Sequence, residues 1–303
     1  MTSFKSGFVG LLGQSNVGKS TFLNAVVGKK LLITSPKPQT TRNRLRCVYT
    51  TDAAQIVFVD TPGLHRPYNQ LSRHILREAF RALRGLDVLL YMVEPWGRLD
   101  PYDRVVLDRL KTRGCPMLLL VNKIDLARGN ALEETLLCYA ATAIFAELFP
   151  ISATQGLHLD EVVRTLIDYL PSGQLLFPTD VSLVCSESFL VSEFIREKIL
   201  ELTHQEIPYS TAVRVKWMYE RKDGLVEIRA EILVDRESQK GIMIGKGGNM
   251  LKQIGTQARM DVEALLGTRV FLELQVKVQK GWTRDLTQIR ELTSANGEGY
   301  AGE

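Results

Sequence analysis

The chain has 303 residues, a length that predicts about two domains. Apolar residues make up 45% and charged residues 24%, an ordinary globular balance, and no apolar run reaches the roughly 18 residues of a membrane-spanning helix. The net charge of +4 is too small to mark a nucleic-acid-binding chain, and beyond Pro171 acidic residues slightly outnumber basic ones, so only local clustering can point to an anionic partner. The four cysteines (Cys47, Cys115, Cys138 and Cys185) are far apart and lack zinc-site spacing; they read as reduced thiols of a cytoplasmic protein. The N-terminus runs straight into the first apolar run, so no signal peptide is expected.

That run, Phe8 to Leu12, reads as a buried strand and leads into Gly13-Gln14-Ser15-Asn16-Val17-Gly18-Lys19-Ser20-Thr21. The segment fits G-x-x-x-x-G-K-[ST], and a helix pattern closed by Gly28 follows. Gly13 and Gly18 permit a tight loop whose amides converge on phosphate oxygens. The helix N-terminus adds positive potential. Lys19 can reach the β- and γ-phosphates, and the Ser20 hydroxyl can ligate Mg²⁺.

A polar, proline-broken stretch, Thr34 to Arg42, reads as a mobile loop carrying a second hydroxyl ligand for Mg²⁺. Thr40 and Thr41 are both available. Residues 45–50 and 55–59 read as a hairpin, the second strand ending in Asp60-Thr61-Pro62-Gly63. Asp60 then stands at a strand's C-terminal end, where open α/β sheets collect ligand groups. It can hold Mg²⁺ through water, and the Gly63 amide can meet a γ-phosphate. Leu64 follows, where GTPases commonly carry a water-orienting Gln. A leucine cannot orient water, so slow intrinsic turnover is expected.

Residues 69–84 read as a helix whose Arg73, Arg77, Arg81 and Arg84 form a charged, solvated face. A buried strand, Asp87 to Val93, precedes a helix opened by an Asp100 N-cap with Pro101 at its first position. The next strand delivers Asn122-Lys123-Ile124-Asp125, which fits N-K-x-D. Asp125 can accept from guanine N1–H and its exocyclic amine, Asn122 can bind guanine N7 and O6, and the Lys123 stem can cover the ring. Adenine leaves such groups unpaired. A helix over about 132–147 leads to the last strand and to Ser152-Ala153, whose amides can approach guanine O6. A helix over about 159–170 closes the half.

Alternating strands and helices imply a mostly parallel sheet with helices on both faces. Residues 7–170 resemble a translation-factor-class P-loop GTPase. From that resemblance Thr41 is favoured over Thr40 as the Mg²⁺ ligand. Asn16 stands where some GTPases lacking the Gln coordinate K⁺.

After a linker at 173–181, the pattern is helix (about 188–205), strand (212–218), strand (225–233) joined through Asp223-Gly224, a loop, helix (about 250–266) and strand (270–278). Gly245-Lys246-Gly247-Gly248-Asn249 contains G-x-x-G, the loop with which KH domains clamp an RNA backbone. Residues 238–260 carry Lys240, Lys246, Lys252 and Arg259 before any acid appears, a basic edge suited to phosphates. The expected architecture is an α/β GTPase domain (1–172) followed by an α+β KH domain of the second type (182–285), with a partly disordered tail (286–303).

Five GTPase motifs followed by one KH domain resemble the Era family of bacterial ribosome-assembly GTPases. Gln39-Thr40-Thr41-Arg42, Leu64-His65, Ile195-Arg196-Glu197-Lys198, Glu206-Ile207-Pro208-Tyr209-Ser210, Val276-Lys277-Val278 and Gly281-Trp282 carry the resemblance. Ser15 departs from it, standing where the family usually has Pro. The resemblance implies GTP and GDP with Mg²⁺ as ligands and Lys19, Thr41 and Gly63 as catalytic residues; Asn16 is left either as a K⁺ ligand or as a residue that only caps the loop. It also implies the 3′ end of small-subunit ribosomal RNA and the 30S subunit as partners, through Lys240, Gly245 to Asn249 and Lys252. A monomer that binds no DNA, cytoplasmic with peripheral association at the inner membrane, completes the expectation. Two rivals remain: a KH scaffold with a static guanine nucleotide, and a GTPase of RNA modification or membrane signalling.

Overall fold

The computed structural model describes residues 3–67 and 69–293. The chain divides into two compact units, Met1–Pro67 with Ile75–Val184 and Tyr68–His74 with Cys185–Glu303. No helix among the described residues is long and apolar enough to cross a membrane.

The first unit opens with β1 (Lys5–Gly13), α1 (Lys19–Val27), β2 (Leu45–Thr50), β3 (Ala54–Asp60) and, from Ile75 onward, α2 (Gln70–Arg81). It continues with β4 (Val88–Val93), α3 (Pro101–Leu110), β5 (Met117–Val121), α4 (Ala131–Ala140), β6 (Glu147–Pro150), α5 (Leu159–Tyr169) and β7 (Leu183–Val184). The sheet order is β6-β5-β4-β1-β3-β2-β7. β1 is parallel to both β3 and β4, and β2 is antiparallel to β3, as the hairpin reading required. β3, β4 and β5 are buried along their whole length, which is why β4 and β5 read as unbroken apolar runs rather than alternating ones. The chain order reverses at β1, whose end lies in register with the ends of its neighbours: Leu11 faces Asp60 and Gly13 faces Met92. The loop leaving β1 therefore opens at the crevice where such sheets bind ligands.

Several boundaries differ from the sequence reading. The stretch read as a linker is bound to the first unit, which continues to Val184. The cause is Gln55, fully buried in β3: its Oε1 accepts from Leu176 N (2.7 Å) and Phe177 N (2.9 Å), and its Nε2 donates to Phe177 O (2.9 Å). A buried amide requires such partners. The following residues add β7 to the sheet edge, antiparallel to β2. The helix expected over 132–147 stops at Ala140. Ala143 takes φ 51°, and the apolar pattern continues only because Ile144 and Phe145 pack from the loop onto the core around Tyr91 and Tyr139. The helix expected over 69–84 is assigned to Arg81, with single-turn bonds beyond it. The Asp100 cap is as read, its carboxylate accepting from Tyr102 N at 2.7 Å.

The second unit contains α6 (Glu187–Leu202), β8 (Thr211–Glu220), β9 (Val226–Val234), α7 (Glu237–Ile244), α8 (Asn249–Leu266), β10 (Val270–Val278) and α9 (Leu286–Thr293). β8 and β9 form the expected hairpin, with Gly224 at φ 77°, and β10 adds parallel to β9. The glycine loop joins two helices, not a strand and a helix. Ile242-Met243-Ile244 is the end of α7, halted by Gly245 at φ 74°. Part of the expected tail is ordered: α9 buries Ile289, and Arg214 on β8 meets Glu291 at 3.2 Å. Residues 294–303 lie outside the described residues.

Candidate functional site

The loop between β1 and α1 is built on two glycines that no other residue could replace without movement. A Cβ on Gly13 (φ 153°) would lie 2.3 Å from Met92 O, and one on Gly18 (φ 102°) 2.2 Å from Asn122 Nδ2. Gly18 opens α1, directing the unpaired amides of its first turn into the crevice. Lys19 is buried and bends back over its own loop, donating to Gly13 O (3.1 Å) and Gln14 O (2.8 Å). Thr21 follows in the first turn of α1. Burial pulls the Lys19 ammonium down to about 8, against the opposing attraction of Asp60.

Three oxygens meet beside it. Ser20 Oγ lies 3.1 Å from Thr41 Oγ1, and the two hydroxyls lie 3.4 and 3.3 Å from Asp60 Oδ2. Asp60 Oδ1 is buried with no hydrogen-bond partner. Burial pushes this carboxyl up to about 6, with Lys19, Thr41 and Ser20 opposing. Both charges are thus poorly solvated, and a hard divalent cation with a polyphosphate would favour the charged form of each. The residues present fit Mg²⁺: two hydroxyls and a carboxylate with an unused oxygen. Of the two threonines left open by the motif reading, Thr41 is the one brought to Ser20 and Asp60; Thr40 Oγ1 donates to Lys37 O at 2.7 Å.

The segment after Asp60 closes against the loop. Thr61 Oγ1 donates to Leu11 O (2.6 Å), and Pro62 leads to Gly63, where a Cβ would lie 2.6 Å from Ser15 Oγ. Leu64 N donates to Gly13 O (2.9 Å), and Leu64 O accepts from Ser15 N (3.3 Å). The Leu64 side chain is 1% exposed and belongs to the core cluster with Leu12 and Tyr91. It is a packing residue as well as a missing polar one. Tyr102 OH on α3 donates to His65 O at 3.0 Å. Asn16, at φ 69°, donates its side-chain amide to Pro36 O, joining the loop to the Thr34–Arg42 stretch.

At the other end of the loop, Asn122 is buried and cross-links three segments. Its Nδ2 donates to Val17 O (2.8 Å) and its Oδ1 accepts from Ala153 N (2.9 Å). One N–H remains for a base, so its architectural bonds come first. Asp125 Oδ1 accepts from Ser152 Oγ at 2.6 Å, which aims the carboxylate, and Ile124 N donates to Ile151 O (3.2 Å). Lys123, at φ 66°, pairs with Glu94. Glu94 carries no motif, and only the fold brings it there.

In the second unit, Gly245 takes φ 74°, Gly247 61° and Gly248 79°, and Lys246 and Asn249 are exposed. Beside this loop α8 and β10 enclose a cleft of about 430 Å³ lined by Gly248, Lys252, Gly255, Thr256, Arg259 and Leu272 among others. Lys240, half-buried on α7, is not part of that lining. Thr256 and Leu272 were not singled out from sequence. Thr256 follows Lys252 at i+4, a spacing that could have found it.

The strand–loop–helix, the Ser20–Thr41–Asp60 cluster and the cross-linked N-K-x-D end define a P-loop GTPase, here joined to a KH unit. Comparison with known families agrees: the family described as 50S ribosome-binding GTPase matches residues 8–123, and the KH domain family matches residues 206–283. GTPase Era of Geotalea uraniireducens is 46% identical over 288 residues, covering 95% of this chain and 97% of the relative. GTPase Era of Lacticaseibacillus paracasei is 46% identical over 292 residues, covering 96% and 97%. Two solved structures superpose over most of the chain. One is Era in complex with MgGDPNP and nucleotides 1506–1542 of 16S ribosomal RNA, with a TM-score of 0.90, 37% identity, and 95% and 98% of the two chains covered. The other is an Aquifex aeolicus Era variant bound to GDP·AlF4⁻, with a TM-score of 0.91, 38% identity, and 95% and 99% covered. The chain belongs to the Era family of GTPases.

Proposed function

We propose that this chain is a GTP-hydrolysing switch that binds small-subunit ribosomal RNA and assists assembly of the 30S subunit. The observation that carries the reading is the meeting of Ser20, Thr41 and the half-unused Asp60 carboxylate beside buried Lys19. In this reading Ser20 and Thr41 hold Mg²⁺, with Asp60 behind a water; the ion neutralises charge on the phosphate oxygens when bound. The amides of residues 14–21 cradle the phosphates, Lys19 stabilises the transferring group, and the Gly63 amide meets the γ-phosphate. Asp125 and Asn122 select guanine, with Ser152 and Ala153 at its O6. The attacking water is positioned by backbone or RNA, since Leu64 is apolar and packed inward.

The RNA surface in this reading is the Gly245–Asn249 loop with Lys252 and the cleft behind it. Its support is the solved Era complex with the 3′ segment of 16S ribosomal RNA, together with positive-φ glycines that leave the loop's backbone open to a phosphate. The first unit is then the nucleotide unit and the second the RNA unit, in a cytoplasmic protein with peripheral membrane association. Asn16 is the candidate K⁺ ligand. Faster turnover in K⁺ than in Na⁺ at matched ionic strength is expected, and equal turnover removes the potassium role.

The test of the nucleotide reading is competition between GTP and ATP for wild type and Asp125→Ala. Wild type should prefer GTP by ~10³-fold or more, and the variant should lose most of that preference. Equal affinities in the wild type would overturn the assignment.

A further inference from the structure

Asp103 belongs to none of the motifs, yet it is a buried carboxylate, 3% exposed, in the first turn of α3. Its Oδ1 accepts from Gln14 Nε2 (3.0 Å) and from Tyr91 OH (2.7 Å), and its Oδ2 accepts from Tyr139 OH (2.6 Å). The three donors come from the loop after β1, from β4 and from α4. Burial, reinforced by the Asp103 charge, raises both tyrosines well above the ordinary phenol range, so both remain hydrogen-bond donors. A buried carboxyl group is tolerated where donors surround it.

One of those donors is unlike the others. Tyr91 and Tyr139 are core residues, whereas Gln14 is the second residue of the glycine loop. The Gln14 carbonyl accepts from Lys19 Nζ at 2.8 Å, and its backbone bridges Leu64. The Gln14 side chain is thus tied to a buried carboxylate in the core while its carbonyl holds the lysine, and its neighbours Gly13 and Ser15 hold Leu64. Charge-assisted hydrogen bonds are the stronger kind, and a loop held in its binding geometry needs less ordering when a ligand arrives.

We propose that Asp103 is a positioning residue for the phosphate loop, acting through Gln14 on the carbonyl that holds Lys19, so that tight guanine-nucleotide binding depends on the Gln14–Asp103 hydrogen bond. This rests on residues 13–20 being the phosphate-binding loop. Gln14 contributes here through its side chain, in addition to its loop amide.

The experiment measures dissociation of fluorescent GDP with Mg²⁺, alongside thermal unfolding, for full-length wild type, Gln14→Ala, Asp103→Asn, the double variant and Tyr139→Phe. Gln14→Ala and Asp103→Asn should each speed dissociation about tenfold. The double variant should be no faster than the faster single variant, because one interaction is removed twice. Tyr139→Phe, which loosens only the core side of Asp103, should lower Tm while leaving dissociation within about twofold. A Gln14→Ala rate equal to wild type overturns the inference, and that variant alters a half-buried loop residue with no core role. Rate effects that multiply in the double variant overturn it as well. Failure of the wild type to bind GDP would instead defeat the phosphate-loop reading and this inference with it.

Discussion

The molecule uses glycine twice to shape a loop, and for different reasons. Around Gly13 and Gly18 there is no room: neighbouring atoms lie 2.3 and 2.2 Å from where a Cβ would stand. Around Gly247 and Gly248 nothing lies within 4 Å, and only the positive φ excludes other residues cheaply. The first loop is locked by its surroundings. Asn122, Leu64 and Asp103 each bond it from a different element. The second loop depends on its own backbone, and its lysine and asparagine face solvent. The physical lesson is that the first loop is pre-built from the core outward, whereas the second is a free edge whose shape comes from local torsion.

The largest predicted effect sharpens that contrast. Gly18→Ala must displace Asn122 from Val17 O and Ala153 N and also strain the backbone, at a combined cost of about 3 kcal/mol or more. GDP titration should show affinity falling ~100-fold or beyond, and a loss under about fivefold would break the comparison. Next in size, Gln55→Leu strands the amides of Leu176 and Phe177. Chemical denaturation should show a loss of about 2–3 kcal/mol. An unchanged midpoint would mean that the 173–184 segment does not depend on this anchor.

Gly247→Ala meets no atom and should cost only about 1 kcal/mol, read as a small fall in Tm with GDP affinity unchanged. A loss as large as that of Gly18→Ala would show the second loop to be packed after all. The smallest effect concerns Glu231, 4% exposed between Arg214 (2.9 Å) and Lys277. Burial alone would raise its carboxyl, but the two cations outweigh burial and hold it below the ordinary glutamate range. The stabilisation is therefore complete above the unfolded value of about 4.3 and is lost as pH falls through the lower folded value. Glu231→Gln should cost about 1 kcal/mol or less at neutral pH, because both cations are part-exposed. The gap from wild type should close in unfolding curves taken below about pH 4. A gap that widens there would reverse the assignment.

Most of the nucleotide unit was legible in the sequence because its chemistry is local: G-x-x-x-x-G-K-[ST], D-x-x-G and N-K-x-D each occupy a few consecutive residues at a strand end. What escaped depends on distance in the chain. Gln55 reaches Phe177, Glu94 meets Lys123, and Asp103 gathers Gln14, Tyr91 and Tyr139. None of these pairs has a spacing that periodicity could detect. Leu64 was read only for the polarity it lacks, although its side chain fills the core. The helix misread over 141–147 has the same origin, since Phe145 is apolar for tertiary reasons and not for a helix face.

The coupling at stake is GTP hydrolysis at the first loop, tied to RNA by the second. Its most direct test is Mg²⁺-dependent GTP hydrolysis with and without RNA carrying the small-subunit 3′ end, run for wild type and a Lys246→Ala/Asn249→Asp variant. GTP hydrolysis should be slow, stimulated by that RNA in the wild type and not in the variant. Turnover that RNA leaves unchanged, or that it raises equally in both proteins, would contradict the claim.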